Sequence, residues 1–251
     1  MSGRASRVPK AYPKLCDSQP VKLDARLTLF ITLVSIFMTC LVVGDMIGGK
    51  LVSFELFGRE WVFSVGLLAF PVTFVLTDLL NEFYGRDVVR RVTFIAFFMV
   101  ALTFGIIYLA GSLPWAPFTL NADWKGVGPT HFSVVFTQAT QIQLASMFAF
   151  LIGNLVDISV FWFIKRLTGN RMLWLRSTGS TAVSQLIDTV IINGIIWLSK
   201  VPFGTYLTIV LTSYLIKLFA AIIVTPAIYG LHEVFEKRYG LEPVPLEHKS
   251  D

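Results

Sequence analysis

The chain has 251 residues, of which 55% are hydrophobic, and its formal net charge is +5 at pH 7. The apolar residues come in blocks of about twenty, the length that crosses a bilayer, which argues against a soluble domain. The basic residues are concentrated in alternate loops, a distribution that argues against a nucleic-acid partner. Two cysteines, Cys16 and Cys40, are too few for a disulfide framework, and no Cys/His cluster suggests a metal. We therefore expect neither metal nor cofactor.

Six apolar segments follow one another along the chain and predict six transmembrane helices. They cover about residues 27–47, 61–82, 92–113, 141–164, 180–198 and 206–229. Residues 1–26 are polar and predict a disordered cytoplasmic tail, since the first apolar run starts too late and is too long for a cleavable signal peptide. Residues 27–230 form the predicted transmembrane domain, and residues 231–251 a short cytoplasmic tail. The predicted fold class is an all-α integral membrane protein.

The second predicted helix contains the stretch AFPVTFVLTDLLNEFYGRDVVRR, from Ala69 to Arg91. Pro71 falls in the middle of that helix, where a proline removes a backbone hydrogen bond and kinks the chain. Asp78 follows inside the apolar run, and Glu82 lies one turn later, where it could instead be interfacial. An ionised carboxylate near the hydrocarbon costs at least ~2.5–3.5 kcal/mol, so it usually faces a protein interior or a wet cavity.

The distribution of Lys and Arg predicts the orientation of the helices. An even number of spans puts both termini on the same side of the membrane. Sixteen of the 21 basic residues lie in the N-terminal tail, the second loop, the fourth loop and the C-terminal tail. The fourth loop alone contains Lys165, Arg166, Arg171 and Arg176. By the positive-inside rule, both termini are expected to be cytoplasmic.

Polar residues inside the predicted helices are the candidates for a site: Asp45, Asp78, Glu82, Asn154, Asp157, Gln185, Asp188, Asn193 and Lys217. Lys217 lies near the membrane midplane, where a lone ammonium would be costly. Asp188 and Asp157 are its expected partners, because each lies about half-way along its own helix. These groups could instead form a structural ion network, and Asn154 and Gln185 could be interhelical hydrogen-bond partners only.

The sequence lacks the common motifs of hydrolases, metalloproteases and nucleotide-binding proteins. It contains no GxSxG, no HExxH and no GxxxxGK[ST], so an ATP-driven motor is not part of this chain. Its aspartates also lack the local context of an intramembrane protease. We therefore predict that the protein is not an enzyme.

Four segments, in this order, resemble the queuosine precursor transporter family, which is grouped with vitamin uptake transporters. They are FPVTFVLTDLLNEFYGRDVVRR (70–91), IGNLVDISVFWFIKR (152–166), STAVSQLIDTVIINGI (180–195) and SYLIKLFAAIIVTPAIYGL (213–231). The family pattern falls on Asp78, on Gly153 and Asp157, on Asp188 and on Lys217. The resemblance extends over about Leu27 to Leu231, and its four segments occur in order at matching spacing.

One position departs from the family pattern. Members of the family often have an asparagine near the end of the first helix, where this chain has Gly44 and Asp45. The resemblance therefore leaves the role of Asp45 open, and this carboxylate could instead be simply interfacial.

The resemblance implies import of a queuosine precursor across the bacterial inner (plasma) membrane: 7-cyano-7-deazaguanine, 7-aminomethyl-7-deazaguanine or queuine. A carboxylate can accept two adjacent N–H groups from the edge of a guanine-like base, and aromatic side chains can stack on its ring. The expected substrate-binding residues are Phe70, Asp78, Asn154, Asp157, Gln185, Asp188, Tyr214 and Lys217. Proton coupling is expected at Asp78, Asp157 or Asp188.

The sequence is compatible with three interpretations of the mechanism. The leading one is a secondary transporter, ion-coupled or facilitated, in which a buried carboxylate binds a proton together with the substrate. The alternative is the substrate-binding S-component of an energy-coupling-factor-type vitamin transporter, although the first helix shows no clear run of alanines for contacting a partner. The third is a structural or signalling membrane protein. The expected partners are the 7-deazapurine and the lipid bilayer. A homodimer stays open, because membrane proteins of this size commonly pack in pairs.

Overall fold

The computed structural model describes residues 24–56, 58–137, 140–169 and 172–245. The helices within these residues are α1 (Ala25–Ile47), α2 (Phe70–Phe83), α3 (Arg86–Ser112), α4 (Pro129–Phe132), α5 (Thr140–Thr168), α6 (Leu173–Trp197) and α7 (Phe203–Tyr239). All except the one-turn α4 contribute to six segments long and apolar enough to cross a membrane. The predicted six-span architecture is confirmed. Most of the predicted N-terminal tail and the last six residues lie outside the described residues.

A β-hairpin follows α1 and was not expected from the sequence. Its strands, β1 (Leu51–Leu56) and β2 (Arg59–Ser64), pair antiparallel, with Leu51 opposite Ser64. The strand sequences LVSFEL and REWVFS are rich in the β-branched and aromatic residues that favour strands. Gly58 in the turn has a φ of +69°, which glycine adopts without a steric penalty. The hairpin therefore occupies the first loop and the expected start of the second helix.

The second span begins later than predicted, and its proline does not lie in mid-helix. A 3₁₀ turn at Val65–Leu68 leads into α2, so the span starts at residue 65 rather than about 61. Pro71 lies in the first turn of α2. Its missing N–H would have no helical partner there, so the proline suits the helix start and produces no mid-helix kink.

The end of α1 and the 3₁₀ turn approach each other closely at two glycines. A Cβ built on the buried Gly66 would lie 2.5 Å from the carbonyl oxygen of Gly44 and 3.1 Å from the Cα of Gly48. Both are backbone atoms, so they cannot move aside as a flexible side chain would. Only glycine fits at residue 66 with this backbone spacing.

We expect Gly66→Ala to lower the free energy of unfolding by about 1–3 kcal/mol, because the added methyl must push two backbone segments apart. The measurement is thermal unfolding of the purified protein in detergent. Gly105→Ala is the matched control, since nothing lies within 4 Å of a Cβ built at that position in α3. Alanine favours a helix interior over glycine, so the control should be neutral or stabilising. Equal melting temperatures for Gly66→Ala and the wild type would contradict the close approach.

The helices bury one face and leave another apolar face outward. The apolar core lies where α2, α5 and α7 meet, and its members include Leu79, Phe83, Ile158, Phe161 and Phe235. In contrast, α3 and α7 expose large apolar side chains over much of their length, as Phe98 (62%) and Phe219 (66%) illustrate. Apolar side chains on the outside of a long helix suit contact with lipid rather than water.

The last helix continues past residue 230, the predicted end of the transmembrane domain. α7 continues to Tyr239, and the segment after it folds back onto the bundle. The Val244 N–H donates to the carbonyl oxygen of Glu82 (2.8 Å), and Leu241 is buried in the apolar core. This segment therefore packs against the end of α2.

Candidate functional site

A cavity of about 540 Å³ lies among α1, α2, α5, α6 and α7. Its volume falls in the range of sites that bind small organic molecules. The lining includes Gly48 and Gly49, which directly follow α1, and Trp197, the last residue of α6. The charged groups among its described lining residues are Asp45, Asp157, Asp188 and Lys217. These four charged groups therefore lie within a cavity whose wall is otherwise largely apolar.

An ion pair between α6 and α7 lies on the cavity wall. The Lys217 ammonium donates to Asp188 Oδ2 at 2.5 Å, and both residues are less than 10% exposed. The Lys217 Nζ also lies 5.1 Å from the ring centroid of Phe70, a cation–π distance. The predicted contact between Lys217 and Asp188 is present.

A glycine on α5 lets that helix approach the ion pair. A Cβ built on Gly153 would lie 3.2 Å from the Asp188 Cβ, so the spacing between α5 and α6 is tight there. Asp157, the other expected partner of Lys217, lies one turn further along α5. It accepts a hydrogen bond from Ser184 on α6 (3.1 Å) rather than from the ammonium. Two carboxylates thus face the cavity with different partners.

Two amide side chains also line the cavity. Asn154 Nδ2 donates to Thr93 Oγ1 at 2.6 Å, which ties α5 to α3. Gln185 is 9% exposed, and its amide oxygen has no hydrogen-bond partner among the residues that the structure describes. A buried acceptor without a donor costs about 1–3 kcal/mol, so a ligand that supplies an N–H would relieve that cost.

Asp45 belongs to the cavity although the sequence left its role open. Its Oδ1 accepts from the Ser146 hydroxyl at 2.8 Å, which joins α1 to α5. Sequence reasoning did not identify Ser146. Its spacing contains a signal, since Ser146, Gly153 and Asp157 are separated by seven and four residues and so share one face of α5.

The structure brings six of the eight predicted binding residues to one cavity. They are Phe70, Asn154, Asp157, Gln185, Asp188 and Lys217. Asp78 and Tyr214 are absent from the described lining. Asp78 is 2% exposed and accepts from the Ser177 hydroxyl through Oδ2, while its Oδ1 has no partner among the described residues. Tyr214 is half-buried on α7.

A second buried charge cluster lies where α2 and α5 end and α6 begins. Glu82 accepts from Lys165 at 3.2 Å and from Arg176 at 2.7 Å, and each of the three residues is at most 1% exposed. The Nε2 of His232 lies 3.9 Å from Glu82 Oε1, and Lys165 also donates to the Val244 carbonyl (2.9 Å). None of these residues is part of the described cavity lining.

This cluster corrects one expectation. Lys165 and Arg176 are buried in helices rather than exposed in a basic loop, and Glu82, which is also buried, lies one residue before the end of α2. The spacing contained a signal for one of the two basic residues, because Lys165 lies eight residues after Asp157 and so falls within the same stripe of α5. Arg176 lies twelve residues before Asp188, about 120° away around α6, so its spacing gave no such signal.

The fold and the cavity together define an integral membrane protein of six spans with a charged internal cavity. A family model described as "Putative vitamin uptake transporter" matches residues 64–231, which include most of the cavity wall. The chain belongs to this vitamin uptake transporter family, which is a family of transporters and not of enzymes.

Two curated proteins illustrate the similarity. A Bacillus subtilis (strain 168) protein is 33% identical over 178 residues, which are 70% of this chain and 73% of that protein. A Haemophilus influenzae (strain ATCC 51907 / DSM 11121 / KW20 / Rd) protein is 29% identical over 171 residues, 66% of each chain. Both are named "Probable queuosine precursor transporter". No solved structure matches the chain.

Proposed function

We propose that this protein imports a 7-deazapurine precursor of queuosine across the bacterial inner membrane, as a secondary transporter that needs no ATPase partner. The names of its two relatives support the substrate class. The observation that carries the proposal is the buried Lys217–Asp188 pair inside a cavity of about 540 Å³. A purely structural ion pair would be expected to be packed on all sides rather than to border an open volume.

The cavity offers the groups that a guanine-like base requires. Asp157 or Asp188 accepts two adjacent N–H groups from the edge of the base. The Gln185 oxygen and the Asn154 amide complement the remaining polar atoms, and Phe70 supplies a ring for stacking. Candidate substrates are 7-cyano-7-deazaguanine, 7-aminomethyl-7-deazaguanine and queuine.

Coupling to an ion completes the proposal. Asp78, Asp157 and Asp188 are candidate proton sites, since each is buried within a membrane span. Asp78 has a free carboxylate oxygen among the described contacts, so a proton bound there would meet no competing donor at that atom.

Both termini are proposed to be cytoplasmic, because most of the Lys and Arg residues lie in the two terminal tails and in the second and fourth loops. The cavity would then extend inward from the outer side of the membrane, where α1 and α6 end.

Uptake by the purified protein alone, reconstituted in liposomes, tests this function. We expect labelled 7-deazaguanines to accumulate faster than in protein-free liposomes, and an acidic exterior to accelerate accumulation. Unlabelled guanine measures selectivity as a competitor. Binding without uptake, with transport restored only by an added ATPase module, would contradict secondary transport and favour the S-component alternative.

A further inference from the structure

The charged groups of the cavity do not balance. Its described lining has three carboxylates, Asp45, Asp157 and Asp188, but a single ammonium, that of Lys217. Asp188 is paired with Lys217, whereas Asp45 and Asp157 accept hydrogen bonds from the serine hydroxyls of Ser146 and Ser184. Hydroxyl groups satisfy an oxygen atom but carry no charge, so Asp45 and Asp157 have no cationic partner among the described lining residues.

The side-chain oxygen of Gln185 is a second feature of the cavity that calls for a ligand, because it lacks a hydrogen-bond donor among the described residues. It is more than nine-tenths buried, lines the cavity, and has no hydrogen-bond partner among the described residues. An amide oxygen can only accept, so it fits the N–H groups of a ligand. The cavity therefore combines unbalanced negative charge with a free acceptor, and both features suit a ligand rich in N–H groups that also carries a positive charge.

Asp45 and Asp157 lie at well-separated points of the cavity. Ser146, which donates to Asp45, is eleven residues before Asp157 on α5, a separation of about 16 Å along the helix axis. Asp188 lies between them, because its Cβ contacts the position of Gly153. A flat two-ring base held at its N–H edge by Asp157 or Asp188 would direct a short arm toward Asp45.

We infer that the cavity selects a cationic substrate, a 7-deazapurine whose arm ends in a protonated primary amine, and that Asp45 is the residue that selects the amine. This inference rests on the proposed function and deepens it. Among the proposed substrates, 7-aminomethyl-7-deazaguanine carries such an ammonium close to the ring, whereas 7-cyano-7-deazaguanine is neutral at that position. A charge-assisted hydrogen bond from the ammonium to Asp45 would favour the first compound.

Equilibrium binding of the two compounds to the purified, full-length protein tests the inference. We expect the wild type to bind the aminomethyl compound about tenfold more tightly than the cyano compound, the effect of one charge-assisted hydrogen bond. Asp45→Asn should remove that preference, because it should lower the affinity for the aminomethyl compound and leave the affinity for the cyano compound unchanged. Retained binding of the cyano compound shows that the variant is folded. Asp123→Asn, an exposed residue outside the described lining, is the matched control and should keep the preference.

The possible outcomes separate the inference from the proposed function. Selection by Asp45 would be overturned if the wild type bound both compounds with equal affinity, or if Asp45→Asn lowered both affinities equally. Either result would leave the proposed transport of a queuosine precursor standing. If the folded wild type bound neither compound, the inference would fall, and if it also failed to bind queuine, the proposed function would fall with it. Repeating the binding measurement with added Na⁺ tests whether an inorganic cation, rather than the substrate's ammonium, binds near Asp45. If added Na⁺ raised the affinity for the cyano compound to that for the aminomethyl compound, and Asp45→Asn abolished this rise, an inorganic cation would occupy the site and the inference would be wrong.

Discussion

Replacing Glu82 with glutamine is expected to lower the free energy of unfolding by about 3–5 kcal/mol, the cost of leaving buried charges without their partner. Lys165 and Arg176 both depend on this carboxylate, and neither side chain reaches solvent. For a domain of this size the loss corresponds to a fall in melting temperature of roughly 10 °C. Thermal unfolding in detergent measures it.

Glu233→Gln is the matched control for that experiment, because Glu233 is an exposed carboxylate on α7 whose partner, Lys237, is also exposed. It should leave the melting temperature unchanged, since solvent screens such pairs. A double variant, Glu82→Gln with Lys165→Met, should recover part of the loss by removing one of the two unpaired cations. A wild-type melting temperature for Glu82→Gln would contradict a structural role of the cluster.

Replacing Lys217 with methionine is expected to weaken substrate binding by about a hundredfold, within the roughly 2–5 kcal/mol that a desolvated charge pair contributes when one partner is truncated. The variant leaves the Asp188 carboxylate buried on the cavity wall without its cation. Methionine keeps the length and apolar body of lysine, so the change concerns charge and hydrogen bonding rather than volume. Isothermal titration with a 7-deazaguanine measures the affinity.

Two further variants distinguish a binding role from a structural one. Lys237→Met removes an exposed lysine from the same helix and should keep wild-type affinity. The double variant Lys217→Met with Asp188→Asn removes both charges, so it should regain stability but not binding. If it regained both, the Lys217–Asp188 pair would be purely structural, which is one of the interpretations that the sequence leaves open.

The helical part of the fold was predictable because each span is a long apolar run. The hairpin was not, because the apolar residues of Arg59–Ser64 join those of the following span and hide the change of secondary structure. A helix that is taken to start at the strand residues places Pro71 in mid-helix, whereas Pro71 lies in the first turn of α2. A hydropathy pattern measures apolar length, and it does not record where a strand gives way to a helix.

The site was predictable where one residue had a strong physical requirement. A lysine in the middle of an apolar helix needs a counter-ion, and this requirement identified Asp188 as the partner of Lys217. The contact between Asp45 and Ser146 joins residues 101 positions apart, and nothing in either helix alone indicates it. A count of basic residues between spans places Lys165 and Arg176 in a loop, because the count does not show which of these side chains are buried in the folded protein.

Ligand-dependent thermal stabilisation of the detergent-solubilised protein tests the central claim most directly, namely that the cavity binds a 7-deazapurine. Bound ligand stabilises the folded state by about 2.7 kcal/mol at a hundred times its Kd, which raises the melting temperature by roughly 5–10 °C. We predict a rise that grows with the concentration of the deazaguanines or queuine, a smaller rise with guanine and none with biotin. The absence of any shift with every deazapurine, on protein shown to be folded, would contradict the claim.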